Sequence, residues 1–330
     1  MRQKYIDSLR GLCMLLVIYS HLVEFCLPNY YSDLNLVFMT FRMPMFFFIS
    51  GFVSYKALEL WTPLHYKSAI RKKIEGQLLP SFIILFVFCV IMDYNYLLGV
   101  TSEIKYGYWF TFVSFGVYAI WATICLMISK YKSLYLVVGG VFVVLMMGFH
   151  HYTIASNNLI VTTFSLDSIT LYFPFFIYGT IAKRYVKQFH QLLNHPYLFL
   201  IVVVIAFLPH FNHIRTFVRI ARVVCLYQVF YHYKDSIGMN YLNKSLGYIG
   251  KHTLEIYFIH YFLLFGLPHV AAILIDVSFT EMPIKGCTSF LEFLILMPLT
   301  IVIAYTCILI KKIIDCVPVV SRLCFGPTKN

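Results

Sequence analysis

An arginine and a histidine interrupt an otherwise apolar stretch near the start of the chain. Arg10 and His21 both lie in SLRGLCMLLVIYSHLVEFC, residues 8–26. Eleven residues span about three turns of an α-helix, so the two side chains share one helix face, about 16 Å apart along the axis. Such a pair could hold an elongated ligand, with an anionic end at Arg10 and a reactive end at His21, where an imidazole can act as a general base. The alternatives are an arginine that extends to a membrane surface and a histidine that packs in the core.

A second charged residue occurs in FRMPMFFFISGF, residues 41–52. If this helix runs in the opposite direction to the first, we expect Arg42 to lie at a depth similar to that of His21. Pro44 should bend the helix or open a local polar backbone there, and Ser50–Gly51 should allow close approach of another helix. Arg42 could stabilise an oxyanion or bind a substrate, or it could cap the membrane interface.

Two further arginines lie in the apolar segment TFVRIARVVC. Arg219 and Arg222 are three residues apart and therefore share a helix face. Charged side chains at membrane depth are costly and often mark function, so both are candidates to bind an anionic substrate. Alternatively, they pair with acidic residues within the chain, of which the main candidates are Glu24, Glu255 and Glu292.

A second histidine lies in GYIGKHTLEIYFIHYFLL, residues 247–264. His260 could line a substrate site, or it could pack against neighbouring helices. The nine cysteines are scattered, without the paired spacing of a metal site, so we predict no bound metal. The sequence also lacks the nucleophile elbow, phosphate loop and zinc-protease motifs.

The composition is that of a chain embedded in lipid. Hydrophobic residues make up 60% of the chain and charged residues only 12%, whereas soluble domains carry about 25% charged residues. We predict an all-α, polytopic membrane helical bundle that forms one domain over residues 1–330, with about 10 transmembrane helices. The predicted spans are 8–27, 36–56, 78–98, 107–128, 133–149, 166–185, 195–209, 214–233, 247–272 and 288–314.

The positions of lysine and arginine predict the orientation of this bundle. If the N-terminus is cytoplasmic, most of these residues fall in inner segments, and the outer connections hold only Lys105, Arg215 and Lys285. We therefore predict that both termini are cytoplasmic. The net charge of +12 then reflects orientation and attraction to anionic membrane lipid or an anionic cytosolic ligand, and we predict no nucleic-acid partner.

Five stretches together resemble the acyltransferase-3 family of integral membrane acyltransferases, and they occur in the expected order over nearly the whole chain. They are IDSLRGLCMLLVIYSH, FRMPMFFFISGF, YWFTFVSF, YFPFFIYGTIAKR and GYIGKHTLEIYFIH. The resemblance implies about ten transmembrane helices. It also implies transfer of an acyl group from cytoplasmic acyl-CoA, often acetyl-CoA, to a hydroxyl of an extracytoplasmic acceptor, commonly a cell-surface polysaccharide. By match to the motif, His21 takes the catalytic role, and Arg10 binds the donor or supports the fold.

One stretch departs from the family pattern. Many members carry two arginines, three residues apart, just before the third helix, whereas this chain has RKKIEGQLLP with Gln77 in the place of an arginine. Lys72 and Lys73 keep positive charge nearby but not at that spacing, so a donor contact is less well supported here.

We therefore predict a multi-pass O-acetyltransferase of the cell (inner) membrane, with acetyl-CoA or another acyl-CoA as donor and no metal. His21 is the predicted general base, although a covalent acyl-histidine is also open. Arg10, Lys72 and Lys73 are predicted to bind the donor. The predicted substrate-binding residues are Arg42, Arg219, Arg222 and His260. The acceptor is a cell-surface polysaccharide or its lipid-linked precursor.

Two alternatives compete with this prediction. A transporter or flippase for a glycan or lipid-linked sugar could use the same buried arginines as an anion site. An inactive scaffold for glycan assembly is the other. The spacing of Arg10 and His21 and the family resemblance favour the enzyme.

Overall fold

The computed structural model describes residues 3–154, 158–208, 215–235, 241–279 and 287–327. These ranges are all-α and contain no β-strand. The prediction of an all-α chain is therefore confirmed for the part described. Of the basic residues used for orientation, Arg2, Lys285 and Lys329 lie outside the described residues.

The helices are numbered in chain order. They are α1 (Lys4–His21), α2 (Asp33–Met39), α3 (Arg42–Ser54), α4 (Pro63–Lys73), α5 (Leu79–Ile91), α6 (Tyr96–Thr101), α7 (Trp109–Met127), α8 (Tyr135–Ile154), α9 (Leu159–Phe164), α10 (Leu166–Arg184), α11 (Val186–Asn194), α12 (Pro196–Phe207), α13 (Arg215–His232), α14 (Tyr241–Lys251), α15 (Thr253–Ile259), α16 (Pro268–Phe279), α17 (Cys287–Ile314) and α18 (Pro318–Phe325).

The chain divides into two compact units. The first unit comprises Met1–Phe46 and Tyr197–Ile313, and the second comprises Phe47–Pro196 and Ile314–Asn330. Each unit is therefore built from two separate stretches of chain. The prediction of one domain over residues 1–330 stays a prediction.

Six helical segments in the described residues are long and apolar enough to cross a membrane, or up to eight if two pairs of bent helices each count as one span. The six are Lys4–Cys26, Asp33–Ser54, Pro63–Ile91, Trp109–Met127, Tyr135–Ile154 and Thr288–Ile314. All six overlap predicted spans. The count of about ten and the cytoplasmic placement of both termini stay predictions.

Two predicted spans have the wrong limits. The third span was predicted to begin at residue 78, but its helical segment begins at Pro63, where the Thr62 hydroxyl accepts a hydrogen bond from the backbone N–H of His65. This hydroxyl is the N-cap that starts the helix. The basic residues of α4 therefore belong to the same long segment as α5 rather than to a loop.

The ninth span was predicted as one helix over residues 247–272, and this prediction was wrong. Helix α15 tightens into a 3₁₀ turn over His260–Leu263, and the chain then bends by 92° before α16. Pro268 begins α16 because proline lacks the N–H that a continuing helix needs. The bend places His260 at the end of a helix rather than in its middle.

Helix α1 lies in the core of the first unit and packs closely along α14. A Cβ atom added to Gly250 would lie 1.7 Å from the carbonyl oxygen of Asp7, and one added to Gly11 would lie 2.0 Å from that of Leu246. Only glycine allows the two backbones to approach this closely. This contact fixes α1, and with it His21, against the rest of the first unit.

The second unit contains a similar contact between α3 and α10. A Cβ atom on Gly51 would lie 1.9 Å from the carbonyl oxygen of Phe176, and one on Gly179 would lie 2.0 Å from that of Phe48. The prediction that Ser50–Gly51 allows close approach of another helix is confirmed.

The second unit also buries a lysine that was predicted for an outer loop. Lys105 is 1% exposed, and its Nζ donates to the backbone oxygens of Val100, Ser102 and Thr163 at 2.8–3.0 Å. These oxygens lie at or next to the C-terminal ends of α6 and α9, where helix carbonyls lack partners in the helix. The ammonium group therefore joins two helix ends.

Two carboxyl groups lie near this lysine. A hydrogen bond between the side chains of Glu103 and Asp167 raises the pKa of Glu103 to about 7, with burial and the charge of Asp167 adding to the effect. The positive charge of Lys105 lowers the pKa of Glu103. Glu103 therefore titrates near neutral pH in the folded protein.

Candidate active site

His21 and His260, which both belong to the first unit, lie where a helix changes its winding. His21 is the last residue of α1, which continues as a wider π-helical turn over Leu22–Cys26. His260 opens the 3₁₀ turn that ends α15. Changes from α-helical to π or 3₁₀ winding are frequent at functional positions because they reorient side chains relative to the regular helix.

The two imidazoles are hydrogen-bonded to each other inside the first unit. His21 Nδ1 lies 2.9 Å from His260 Nε2, and the ring planes are 9° apart. His260 is fully buried, and its Nδ1 lies 3.0 Å from the backbone oxygen of Ile256. On the other side of His21, the Tyr261 hydroxyl lies 3.2 Å from Nε2. The four groups form one chain of hydrogen bonds.

These partners determine where the protons lie when both imidazoles are neutral. A carbonyl oxygen only accepts hydrogen bonds, so His260 Nδ1 carries its proton and donates it to Ile256. His260 Nε2 is then the acceptor, and His21 Nδ1 donates to it. His21 Nε2 therefore carries a lone pair and accepts from Tyr261. A lone pair on a fixed, buried nitrogen is what a general base requires.

Arg42 brings a positive charge to this site. Its Nη1 donates to the backbone oxygen of Val17 in α1 at 3.4 Å, and its Nη2 lies 3.6 Å from a carboxylate oxygen of Glu24. The charge of Arg42 acts on both His21 and His260. The structure thus places Arg42 beside the part of α1 that carries His21. A guanidinium group here can stabilise negative charge that develops near His21.

A buried carboxylate fixes the same end of α1. Glu292 of α17 is fully buried and accepts hydrogen bonds from the hydroxyls of Tyr19, Tyr30 and Ser32 at 2.6–2.9 Å. Tyr19 lies two residues before His21. These hydrogen bonds hold the end of α1 that carries His21 in place.

The paired arginines lie on α13 of the first unit. Arg222 donates from Nε to the backbone oxygen of Ala206 at 2.8 Å and from Nη1 to the Thr40 hydroxyl at 2.7 Å. Its side chain therefore links α13 to α12 and to Thr40, the residue after α2. Arg219 is half-buried on the same helix. The substrate-binding role of both residues stays a prediction.

The acids proposed as partners for these arginines make other contacts. Glu24 pairs with Arg42, and Glu292 accepts from three hydroxyls. Glu255 lies 3.9 Å from Nδ1 of His252.

The predicted donor-binding residues are divided between the two units. Arg10 is half-buried on α1 of the first unit, and Lys72 and Lys73 lie on α4 of the second. Lys73 Nζ donates to the Gln77 side-chain oxygen at 3.4 Å and lies over the Tyr118 ring. Lys72 is exposed.

Gln77, which stands where the family often has an arginine, is buried in the second unit. Its amide nitrogen donates to the backbone oxygen of Thr111 at 3.1 Å. It lies in a second π-helical turn, Ile74–Leu78, that joins α4 to α5. Here the glutamine side chain links this turn to α7.

Sequence patterns singled out His21, Arg42 and His260 but missed Tyr261 and the pairing of Glu24 with Arg42. Adjacent residues lie about 100° apart on a helix, so spacing alone does not predict that His260 and Tyr261 both contact His21. Both reach it because the 3₁₀ turn brings their rings to 4.2 Å between centroids. Among the described residues, no group of three histidine, cysteine, aspartate or glutamate side chains could hold a metal ion.

Comparison with known proteins gives one match. The profile of the acyltransferase-3 family, described as an acyltransferase domain, matches residues 3–309. Searches of curated proteins and of solved structures gave no match. The matched region includes His21, Arg42, His260 and Tyr261, together with all six apolar segments named above except the last residues of α17. The chain is a multi-pass membrane protein that belongs to the acyltransferase-3 family.

Proposed function

We propose that this protein transfers an acyl group, acetyl in the simplest case, from cytoplasmic acyl-CoA to a hydroxyl of an extracytoplasmic glycan or sugar. The observation that carries the proposal is the hydrogen bond between His21 Nδ1 and His260 Nε2, with His260 anchored on the Ile256 carbonyl. This arrangement leaves Nε2 of His21 as the basic nitrogen. It has the form of a base oriented by a third group, as in other acyl-transfer enzymes.

In the proposed reaction, the acceptor hydroxyl gives its proton to His21 Nε2 as its oxygen attacks the thioester carbonyl carbon. The carbonyl electrons move to oxygen and form a tetrahedral oxyanion. When they return, the carbon–sulfur bond breaks, and the thiolate leaves and takes the proton from His21 Nε2. The products are an ester and free CoA thiol, and the imidazole regains its neutral state.

Each neighbour of His21 has a distinct part in these steps. While His21 carries the extra proton, its Nδ1–H donates to His260, which passes the polarisation on to the Ile256 carbonyl. His260 is therefore a positioning residue that also stabilises the imidazolium. Arg42 supplies positive charge for the oxyanion, and its ion pair with Glu24 holds the guanidinium in the site.

The remaining predicted residues are proposed to bind the donor and the acceptor. Arg10 lies on the same helix as His21, about 16 Å away along the axis, so it could bind the charged end of acyl-CoA while the thioester reaches His21. Lys72 and Lys73 stay predicted donor-binding residues. Arg219 and Arg222 would suit an acidic sugar. The predicted distribution of basic residues suits a membrane that borders the cytoplasm, and we propose the cell (inner) membrane as the location.

The test supplies radiolabelled acetyl-CoA to native membrane vesicles that contain the overexpressed protein and counts label in extracted glycan and lipid. We expect His21→Ala to lower the transfer rate by at least about 100-fold, the usual effect of removing a general base. His151→Ala changes an exposed histidine of α8 and should transfer at the wild-type rate. Arg10→Ala should raise the KM for acetyl-CoA.

Equal expression and a single gel-filtration peak establish that each variant is folded. Full transfer by folded His21→Ala would refute the role of His21. A wild-type protein that neither binds acetyl-CoA nor transfers label would refute the donor assignment. Uptake of a lipid-linked sugar without label transfer would instead support a transporter.

A further inference from the structure

The Tyr261 hydroxyl contacts the ring nitrogen of His21 that is not hydrogen-bonded to His260. Its hydroxyl lies 3.2 Å from His21 Nε2, and its ring lies against both imidazoles, at 4.8 Å from the His21 centroid and 4.2 Å from that of His260. The Tyr261 side chain is buried. In this structure the basic nitrogen is therefore covered by a side chain of the same protein.

This position is the one that an acceptor needs. A hydroxyl that gives its proton to Nε2 must come within about 2.6–3.2 Å of that nitrogen. The Tyr261 oxygen already lies there, and it is itself a hydroxyl, so it stands in for the acceptor hydroxyl. The acceptor must displace Tyr261 before the base can act on it.

A hydrolytic side reaction shows why such a cover matters. Water at Nε2 could give its proton to His21 while its oxygen attacks the thioester carbonyl. The carbon–sulfur bond would break, and the thiolate would take the proton from His21. The products would be a carboxylic acid and free CoA thiol, so the donor would be lost without modifying an acceptor. An enzyme with a buried base must keep water from this nitrogen.

We propose that Tyr261 is a positioning residue that keeps His21 Nε2 covered until an acceptor hydroxyl replaces it, and so suppresses hydrolysis of the donor. The proposal rests on the proposed function of His21. The surrounding backbone suits a local shift of this side chain. Tyr261 lies in the 3₁₀ turn His260–Leu263, whose hydrogen bonds are poorer than those of an α-helix, and the following residues 264–267 are not helical.

The first test compares hydrolysis with transfer in Tyr261→Phe, which removes only the hydroxyl. Purified protein in detergent receives acetyl-CoA without acceptor, and release of CoA thiol is measured. Because one buried neutral hydrogen bond changes an equilibrium by up to about tenfold, we expect hydrolysis to rise about tenfold. The rise should disappear in the double variant with His21→Ala. Tyr135→Phe removes a buried tyrosine hydroxyl in the second unit and should leave hydrolysis unchanged.

Two outcomes of this test would overturn the proposal. Unchanged hydrolysis in Tyr261→Phe would mean that the hydroxyl does not cover the base. A parallel loss of hydrolysis and of transfer in native membrane vesicles would mean that Tyr261 takes part in the chemistry instead. A lower ratio of transfer to hydrolysis supports the proposal, and a purely structural role would not change this ratio in a folded protein.

A second test does not depend on the reaction. Diethyl pyrocarbonate modifies an unprotonated imidazole nitrogen, and mass spectrometry of the peptide that contains His21 measures the rate. We expect this rate to be about tenfold higher in Tyr261→Phe than in wild type, as the loss of one hydrogen bond predicts. Equal modification rates in wild type and Tyr261→Phe would refute the proposal that Tyr261 covers Nε2, even if His21 proves to be the base. If His21→Ala retains transfer, the proposed function fails, and the modification rates still decide whether Tyr261 covers the nitrogen.

Discussion

Replacing His260 by glutamine or by asparagine separates its contact with His21 from its contact with the Ile256 carbonyl. The polar atoms of asparagine overlay Nδ1 of histidine, whereas glutamine, which is one methylene longer, can place an amide oxygen near the position of Nε2. His260→Gln can therefore still accept a hydrogen bond from His21 Nδ1. His260→Asn can still donate to Ile256 but cannot reach His21.

The structure sets the size of the expected effect. The bond between the two neutral imidazoles contributes about 1 kcal/mol, and a hydrogen bond from a charged imidazolium contributes about 1.5–3 kcal/mol. The difference of about 0.5–2 kcal/mol lowers the barrier and corresponds to about 2- to 30-fold in rate. Loss of the partner also frees the His21 ring to rotate, and misplacement of a reacting group by about 1 Å can cost about 100-fold.

We therefore expect His260→Asn to lower kcat by about 30- to 100-fold and His260→Gln by less than about fivefold. The KM for acetyl-CoA should be unchanged in both variants because, in the proposed reaction, His260 contacts His21 and not the donor. The assay is transfer of radiolabel from acetyl-CoA in membrane vesicles over a range of donor concentrations. His269→Gln changes an exposed histidine of α16 and serves as the matched control.

Equal rates for His260→Gln and His260→Asn, in folded proteins, would refute the reasoning. Such a result would mean that the hydrogen bond to His21 does not contribute to the reaction. A rise in KM with unchanged kcat would instead place His260 in donor or acceptor binding.

Two further predictions concern stability. Gly250→Ala should destabilise the first unit by about 3 kcal/mol, since its Cβ would overlap the Asp7 carbonyl oxygen. Thermal unfolding in detergent should show a lower Tm for this variant but an unchanged Tm for Gly148→Ala, whose added Cβ meets open space. An equal Tm for both variants would argue against the close contact. Asp167 raises the pKa of Glu103 in the folded protein to about 7. Protonated Glu103 therefore contributes stability to the fold that is fully present below pH ~4.5 and is lost as the pH rises through about 7. The Tm should accordingly be higher at pH 5.5 than at pH 8; Glu103→Gln should reduce this difference, and an undiminished difference in the variant would contradict the assignment.

Several features of the protein could be predicted from residue types and spacing. The apolar runs predicted an all-α membrane protein, and the described helices agree, because a helix in lipid must satisfy its backbone hydrogen bonds internally. The Ser50–Gly51 step predicted a close helix contact that the structure contains. The stretches around His21, Arg42 and His260 indicated the family, whose profile matches residues 3–309.

The limits of the helices were less well predicted. A long apolar run does not reveal whether the helix stays regular, as the π-helical turn after His21 and the bend before Pro268 show. Such changes in winding depend on how neighbouring helices pack against the segment. The same holds for Lys105, which was predicted for an outer connection but whose ammonium group is held by the ends of two helices.

The partners within the site were decided by tertiary structure alone. His21 and His260 are 239 residues apart in the chain, and Tyr19 and Glu292 are 273 apart. Periodicity shows which face of a helix is buried, but apolar faces are interchangeable, so it does not show which helix covers that face. The sequence by itself determined that polar groups would be buried in a lipid-embedded bundle. Only packing decided that the two imidazoles would be hydrogen-bonded to each other and that a tyrosine hydroxyl would lie 3.2 Å from Nε2 of His21.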